Sequence, residues 1–187
     1  MASKAKFIFV PGSNDPTPSP IPQLPIPNFF TSPLLNSPTV KNVHFASNPC
    51  RINFHGKTCV FYNRPGLSQS LSSSSLIPPS PGTGNLQHTF KTILDQSHLS
   101  PLPLSSSPIY WDLDPYLRLS PPPSGLILGS STSAGDGGSA AGGALHYSPE
   151  EDKEGTYCVE TGRFDLEKGD FVCYYPETGE AEFSAVG

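Results

Sequence analysis

The sequence predicts an α+β domain with a β-rich core, flanking helices and disordered insertions. Short apolar runs bounded by proline, glycine or asparagine recur along the 187 residues, a pattern typical of strands. Apolar residues within 86–95 recur at i, i+4, i+7 and i+8, which indicates a helix with one apolar face. The 23 prolines and 17 glycines exceed the load of an average globular chain, yet a hydrophobic content of 35% is too high for a wholly disordered one.

The first third of the chain predicts strands separated by a proline-rich segment. The apolar run 7–10 is expected to form a buried strand that enters a loop at a Pro-Gly pair. Across 16–38 the frequent prolines favour an extended polyproline conformation, with the interspersed apolar residues on a surface. Two β-rich runs, 50–54 and 58–62, flank a glycine-containing turn and predict a hairpin.

The second half continues this pattern after the predicted helix. The runs 109–111 and 116–119 predict short strands or extended edges, and 126–128 predicts a buried strand. Near the end, 157–159 and 171–175 are expected to pair with each other across a glycine-containing turn.

Two low-complexity stretches are expected to be insertions. Residues 66–85 are rich in serine, proline and glycine, and residues 129–154 combine small residues with an acidic patch. Such compositions bury too little apolar surface to order themselves.

Composition also limits the classes of function and the compartment. A net charge of −5 with eleven Lys and Arg leaves no basic footprint for nucleic acid. The cysteines Cys50, Cys59, Cys158 and Cys173 lack chelating spacing, so we expect reduced core thiols rather than a zinc cluster. The N-terminal apolar run is too short for a signal peptide or a membrane span. A reduced intracellular compartment is therefore expected.

One loop resembles a place where metallophosphoesterases present metal ligands. In those enzymes a Gly-His-x-His sequence brings two imidazoles to one metal, whereas here Ser97-His98-Leu99-Ser100 occupies the same register. A neutral hydroxyl at Ser100 is a poor ligand for a borderline metal ion. The loop is therefore expected to be retained without its second ligand.

Several stretches together resemble the B subunits of eukaryotic replicative DNA polymerases, most closely that of polymerase epsilon. They are FIFVPGSNDP, LPIPNFF, VKNVHFASNPCRI, HTFKTILDQSHLSPLPL, SPIYWDLDPYLRLSPPPSGLIL, the Gly162-Arg163-Phe164 turn and FVCYYP. These pieces occur in the family's order and cover most of the chain outside the two insertions.

The resemblance implies a calcineurin-like phosphoesterase β-sandwich with flanking helices that has lost catalysis. On this reading residues 1–187 form the C-terminal half of that domain, without its first half and the preceding oligonucleotide-binding fold. The family's Gly-Asn-His-Asp loop corresponds to residues 12–15, and a strand-end histidine is lacking near 62–64. Asn14, Asp15 and His98 would be relics of the metal site, with no catalytic residue, bound metal or cofactor expected.

The resemblance further implies a scaffolding role in nuclear DNA replication. The expected partner is the catalytic subunit of polymerase epsilon, through its C-terminal zinc-binding domain, with DNA contacted only through the complex and no membrane involved. Aromatic residues suit such an interface, and the candidates are Phe29, Phe30, Tyr110, Trp111 and Tyr116. For Trp111 a position in the core is an equal alternative.

Two other functions remain open at this point. The first is a metal-dependent phosphoesterase that uses Asp15 and His98, which the serine at position 100 disfavours. The second is a fragment without autonomous function, because half a β-sandwich leaves open sheet edges.

Overall fold

The computed structural model describes residues 5–17, 21–37, 41–74, 84–129, 143–149, 154–162, 164 and 169–186. These residues form three α-helices, one 3₁₀ helix and nine strands, so the predicted α+β class is confirmed. Each helix in these ranges is too short or too polar to cross a membrane. In chain order the elements are β1 (Phe7–Phe9), α1 (Asn28–Leu35), β2 (Val43–Phe45), β3 (Cys50–Phe54), β4 (Lys57–Asn63), α2 (Leu67–Ser74), α3 (Asn85–Asp95), the 3₁₀ helix (Trp111–Leu117), β5 (Gly125–Gly129), β6 (Gly143–Tyr147), β7 (Thr156–Thr161), β8 (Asp170–Tyr175) and β9 (Glu180–Ala185).

A five-stranded mixed sheet with the order β3-β4-β5-β7-β6 organises the chain. Strands β3 and β4 form the predicted hairpin, with His55 and Gly56 at positive φ in the turn. Strand β4 is parallel to β5, and β5 is parallel to β7. The interior strands β4, β5 and β7 carry the buried apolar runs, as expected for strands covered on both faces.

The sheet buries a different set of side chains on each face, because successive strand residues point to opposite sides. One face packs against α2, α3 and the loops after α3, and its cluster includes Val60, Leu126, Phe90 and Ile93. The opposite face carries Cys59, Ile127 and Val159, which pack under the β8–β9 hairpin. The architecture is therefore three layers, with helices, a mixed sheet and a two-stranded hairpin.

All four cysteines are free thiols, and Cys50, Cys59 and Cys158 are buried. Burial raises the pKa of the Cys158 thiol to about 12, because the core disfavours a thiolate. The expectation of reduced core cysteines is confirmed for these three.

The predicted pairing of the last two apolar runs is wrong. Strand β7 lies inside the main sheet between β5 and β6, while β8 pairs with β9, a strand that the sequence analysis does not identify. Strand β7 buries residues on both of its faces, as an interior strand does. A tight turn with Gly179 at φ +78° closes the β8–β9 hairpin instead.

The N-terminal predictions need two corrections. Strand β1 is present, but its residues are about two-fifths exposed, because it pairs only with β2 in a separate parallel sheet. The proline-rich segment contains helix α1 rather than continuous polyproline structure. The first turn forms over residues 28–32, which contain no proline. Pro33 lies inside the helix, and the preceding Ser32 hydroxyl donates a 3.4 Å hydrogen bond to the Phe29 carbonyl.

Parts of both predicted insertions are ordered secondary structure. Helix α2 forms within 66–85 because Leu67 and Leu71, one turn apart, are buried in the core. Strand β6 forms within 129–154 by antiparallel pairing with β7. The remaining parts, 75–83, 130–142 and 150–153, lie outside the described residues.

Most of the segment 109–119 is a 3₁₀ helix rather than short strands, while Tyr110 and Arg118 at its two ends are extended and Arg118 forms an isolated antiparallel bridge with His98. Its apolar residues do not alternate into a sheet: Leu117 is buried, whereas Trp111 and Tyr116 are exposed. The predicted helix over 86–95 is confirmed as α3, with Phe90 and Ile93 fully buried.

Candidate functional site

The loop that follows β1 is a tight turn closed by its own aspartate. The Asp15 carboxylate accepts a 2.7 Å hydrogen bond from the backbone N–H of Gly12, and the Asp15 N–H donates to the Gly12 carbonyl. Asp15 is therefore engaged in shaping the loop. Asn14 lies in the same exposed turn.

The buried Asn48 side chain joins this loop to the end of β4. Its Nδ2 donates to the Pro11 carbonyl at 3.1 Å and to the Asn63 carbonyl at 2.6 Å, while its Oδ1 accepts from the Asn63 N–H at 3.0 Å. Nδ2 also lies 2.7 Å from Oε1 of Gln23, whose Nε2 donates to the Gly12 carbonyl at 2.9 Å. Two amide side chains thus hold three separate segments in register.

A cavity of about 550 Å³ lies between these segments. Its lining includes Asp15 and the consecutive residues Tyr62, Asn63 and Arg64. The family resemblance predicts that a strand-end histidine is missing at these three positions. Burial raises the pKa of the Tyr62 phenol, and the nearby Arg64 cation partly offsets that increase. Two segments that the sequence assigns to a degenerate site therefore meet here, and the remaining lining residues are Ser13, Thr17, Ile21, Gln23, Asn48 and Pro65.

Both ring nitrogens of His98 are engaged within the protein. The backbone N–H of Ser100 donates to Nδ1 at 3.1 Å, and Nε2 lies 3.2 Å from Oδ1 of Asp114. A backbone N–H can only donate, so Nδ1 carries the lone pair and Nε2 carries the proton. This His98 conformation offers no nitrogen to a metal ion.

Asp114 joins the His98 loop to the 3₁₀ helix. Its carboxylate accepts from Nε and Nη2 of Arg118 at 2.9 and 2.7 Å. The Arg118 hydrogen bonds, followed by the contact with His98, lower the pKa of Asp114. The loop and the helix are thus fixed to each other by a charged group that stays ionised at neutral pH.

The serine at position 100 is part of the core. Ser100 is buried, and its hydroxyl lies 3.0 Å from the buried hydroxyl of Ser107. Over the described residues there is no group of three or more histidine, cysteine, aspartate or glutamate side chains placed to hold a metal ion. Asp15 and His98 therefore belong to no metal-binding cluster within these residues.

The five aromatic candidates for an interface are all exposed. Phe29 and Phe30 lie on α1 in edge-to-face contact, with ring centroids 5.2 Å apart. Tyr110, Trp111 and Tyr116 lie on or beside the 3₁₀ helix, and Trp111 is 68% exposed. The alternative that Trp111 fills the core is therefore wrong.

Sequence reasoning misses the two amides that assemble the cavity. The sequence identifies Asn48 only as part of an Asn-Pro turn, and Gln23 carries no local signal between its flanking prolines. Their roles depend on partners distant in sequence, such as Asn63 for Asn48 and Gly12 for Gln23.

Comparison with known proteins identifies the class to which this fold and site belong. The family model for the B subunit of DNA polymerase alpha/epsilon matches residues 1–135. The chain therefore belongs to the DNA polymerase alpha/epsilon B-subunit family.

Within that family, the relatives it resembles belong to polymerase epsilon. It is 35% identical to the DNA polymerase epsilon B subunit of Arabidopsis thaliana over 189 residues, which covers 100% of this chain and 32% of the relative. The corresponding B subunit of Schizosaccharomyces pombe is 38% identical, covering 73% of this chain and 26% of the relative. The human DNA polymerase epsilon subunit 2 is 30% identical, covering 96% and 31%. The resemblance drawn from the sequence is confirmed, and the chain spans about a third of these relatives or less.

Proposed function

We propose that this chain acts as a non-catalytic accessory (B) subunit of the DNA polymerase epsilon complex in the nucleus. In this role residues 1–187 are part of a degenerate calcineurin-like phosphoesterase domain that holds the catalytic subunit. DNA would be contacted only through the assembled complex. The proposal rests on family membership and on the state of the His98 loop.

The observation that carries the non-catalytic assignment is the use of both His98 nitrogens for internal contacts. A binuclear phosphoesterase needs several imidazoles and carboxylates converging on metal ions that activate water. Here Ser100 and Asp114 occupy the two His98 nitrogens, and Asp15 closes its own turn. The His98 and Asp15 side chains, which could bind a metal ion, instead form hydrogen bonds that fix their loops.

The exposed aromatic residues support a partner surface for the catalytic subunit, including its zinc-binding domain. Large aromatic side chains at a surface contribute most when a partner buries them. Trp111 and Tyr116 are 68% and 61% exposed on one short helix, and that helix is fixed to the His98 loop through Asp114. This attachment would present the aromatic side chains on a rigid support.

Co-purification with the C-terminal zinc-binding domain of the catalytic subunit tests this role. Replacing Trp111 and Tyr116 together by alanine is expected to weaken retention about tenfold or more, the size of an aromatic hot spot. Phe183→Ala, which removes an exposed aromatic side chain from β9, is the matched control and should leave retention unchanged. Unchanged retention in the double variant would contradict the proposed surface.

A hydrolysis assay separates this role from residual enzymatic activity. Phosphodiester substrate with added manganese should give the same background rate for the natural chain and for His98→Ala. Turnover that disappears in His98→Ala would instead support the metal-dependent phosphoesterase.

A further inference from the structure

An arginine on the edge strand β3 lies against the C-terminal end of the 3₁₀ helix. Arg51 is exposed, and its Nη2 donates to the Tyr116 carbonyl at 3.2 Å and to the Arg118 carbonyl. The last carbonyl groups of a helix lack partners within it, and a cation beside them is favourable. These two hydrogen bonds therefore hold the guanidinium beside the helix that carries Trp111 and Tyr116.

The positive charge of Arg51 is not neutralised by any side chain that the structure describes. Among the described residues Arg51 forms no ion pair, and its Nε and Nη1 groups have no hydrogen-bond partner. The neighbouring Arg118 differs, because its Nε and Nη2 both donate to Asp114. Desolvation lowers the pKa of Arg51, and a nearby carboxylate would oppose that effect. Arg51 therefore remains able to bind a further acceptor.

The exposed side chains around Arg51 have the composition of an interface centre. Trp111 and Tyr116 are both exposed, and Arg51 is bonded to the main chain of Tyr116. Tryptophan, tyrosine and arginine are the residue types most enriched among side chains that dominate binding energy. Asp112, beside Trp111, is also exposed and pairs with no cation in the described ranges. The surface is thus positive at the Tyr116 end and negative at the Trp111 end.

We propose that Arg51, Tyr116 and Trp111 bind an acidic segment of the partner polypeptide, with its carboxylate on Arg51 and apolar side chains on the two rings. This inference rests on the proposed accessory role and specifies the chemistry of the partner. A guanidinium suits carboxylate oxygens, and hydrogen bonds between charged groups are the stronger kind. Because Asp112 disfavours a second carboxylate near Trp111, the acidic residue should lie at the Tyr116 end.

A double-mutant cycle between the full chain and the C-terminal zinc-binding domain of the catalytic subunit tests this contact. In that domain each aspartate is replaced by asparagine and each glutamate by glutamine, one at a time. Calorimetry then measures the affinity of every variant for the natural chain and for Arg51→Gln. At least one acidic substitution should weaken binding to the natural chain about tenfold, yet change binding to Arg51→Gln less than about twofold.

The cycle separates a direct contact from a structural role of Arg51. Loss of its bonds to the helix carbonyls would misplace the aromatic rings, and affinity would then fall by the same factor for every partner variant. Lys41→Gln, which removes a positive charge from an exposed position before β2, is the matched control. Each acidic substitution should have the same effect on Lys41→Gln as on the natural chain. Arg51→Lys, which keeps the charge, should bind with intermediate affinity.

Equal effects of all acidic substitutions on the natural chain and on Arg51→Gln would overturn this inference. If the double replacement of Trp111 and Tyr116 still weakens retention, the accessory role stands without the acidic contact. Absence of binding by the natural chain would instead overturn the accessory role and this inference together.

Discussion

The backbone N–H of Ser100 donates a 3.1 Å hydrogen bond to Nδ1 of His98, two residues earlier in the same loop. This contact selects one tautomer of the imidazole and directs its other nitrogen toward Asp114. An imidazole held in this way fixes the conformation of the loop. Ser100 therefore affects His98 through its main chain, while its own hydroxyl is buried.

Introducing a histidine at position 100 should not create a metal site. Ser100→His places a large ring where the native hydroxyl is buried against Ser107, so we expect destabilisation of about 1–3 kcal/mol from overpacking. Thermal unfolding with and without manganese measures this change. The exposed Ser106→His is the matched control and should have little effect. A variant stabilised by manganese would contradict the expectation.

Removing the Asn48 amide should loosen the N-terminal loop from the sheet. Asn48→Ala leaves the Pro11 and Asn63 carbonyls without their donor in a buried place, so we expect a loss of about 2–3 kcal/mol in the free energy of unfolding. Denaturant titration measures the loss, and limited proteolysis should detect earlier cleavage near the loop. Asn53→Ala, at the exposed β3–β4 turn, should cost less.

The Asp114 carboxylate should contribute to stability at neutral pH and lose that contribution in acid. Its pKa is lowered in the folded protein, chiefly by Arg118 and then by His98. The stabilisation is therefore complete above the unfolded-state pKa of about 3.9, and it is lost as pH falls through the lower folded-state value.

Asp114→Asn should accordingly lower stability at pH 7 and show a shallower decline below about pH 4. Thermal unfolding across the acidic range up to neutral pH tests this expectation, with the exposed neighbour Asp112→Asn as control. Parallel curves for the natural chain and Asp114→Asn in acid would contradict it.

Truncating Leu71 tests whether the serine-rich segment is part of the core. Leu71→Ala should destabilise the protein by about 2–4 kcal/mol, because the side chain is buried in the cluster between the helices and the sheet. Gln69→Ala, on the exposed side of the same helix, should change stability little. Equal stability of the two variants would contradict the core position of Leu71 and would support an unstructured insertion.

The elements best predicted from sequence are those that depend on local interactions. Helix α3 follows from apolar residues repeating every three or four positions, and the β3–β4 hairpin follows from two β-rich runs around His55 and Gly56. In contrast, α2 is missed because serine dominates its composition. Only two leucines one turn apart signal its buried face.

The candidate site is predicted only in part, for a comparable reason. The resemblance predicts lost ligands in the 12–15 loop and near residues 62–64, and the structure brings these two segments to one cavity. The bracing roles of Gln23 and Asn48 are not predicted, because a lone amide gives no periodic signal. The Gln23–Gly12 and Asn48–Pro11 hydrogen bonds join residues 11 and 37 positions apart.

The sequence by itself determined the α+β class, the main local elements and the presence of a serine, which has no imidazole, at position 100. These properties are carried by neighbouring residues and by side-chain chemistry. Only the tertiary structure decided that β7 lies between β5 and β6, that both His98 nitrogens are engaged, and that Asn48 and Gln23 hold three distant segments together. Those outcomes depend on which distant segments pack together, and burial of apolar faces selects that packing over the whole chain.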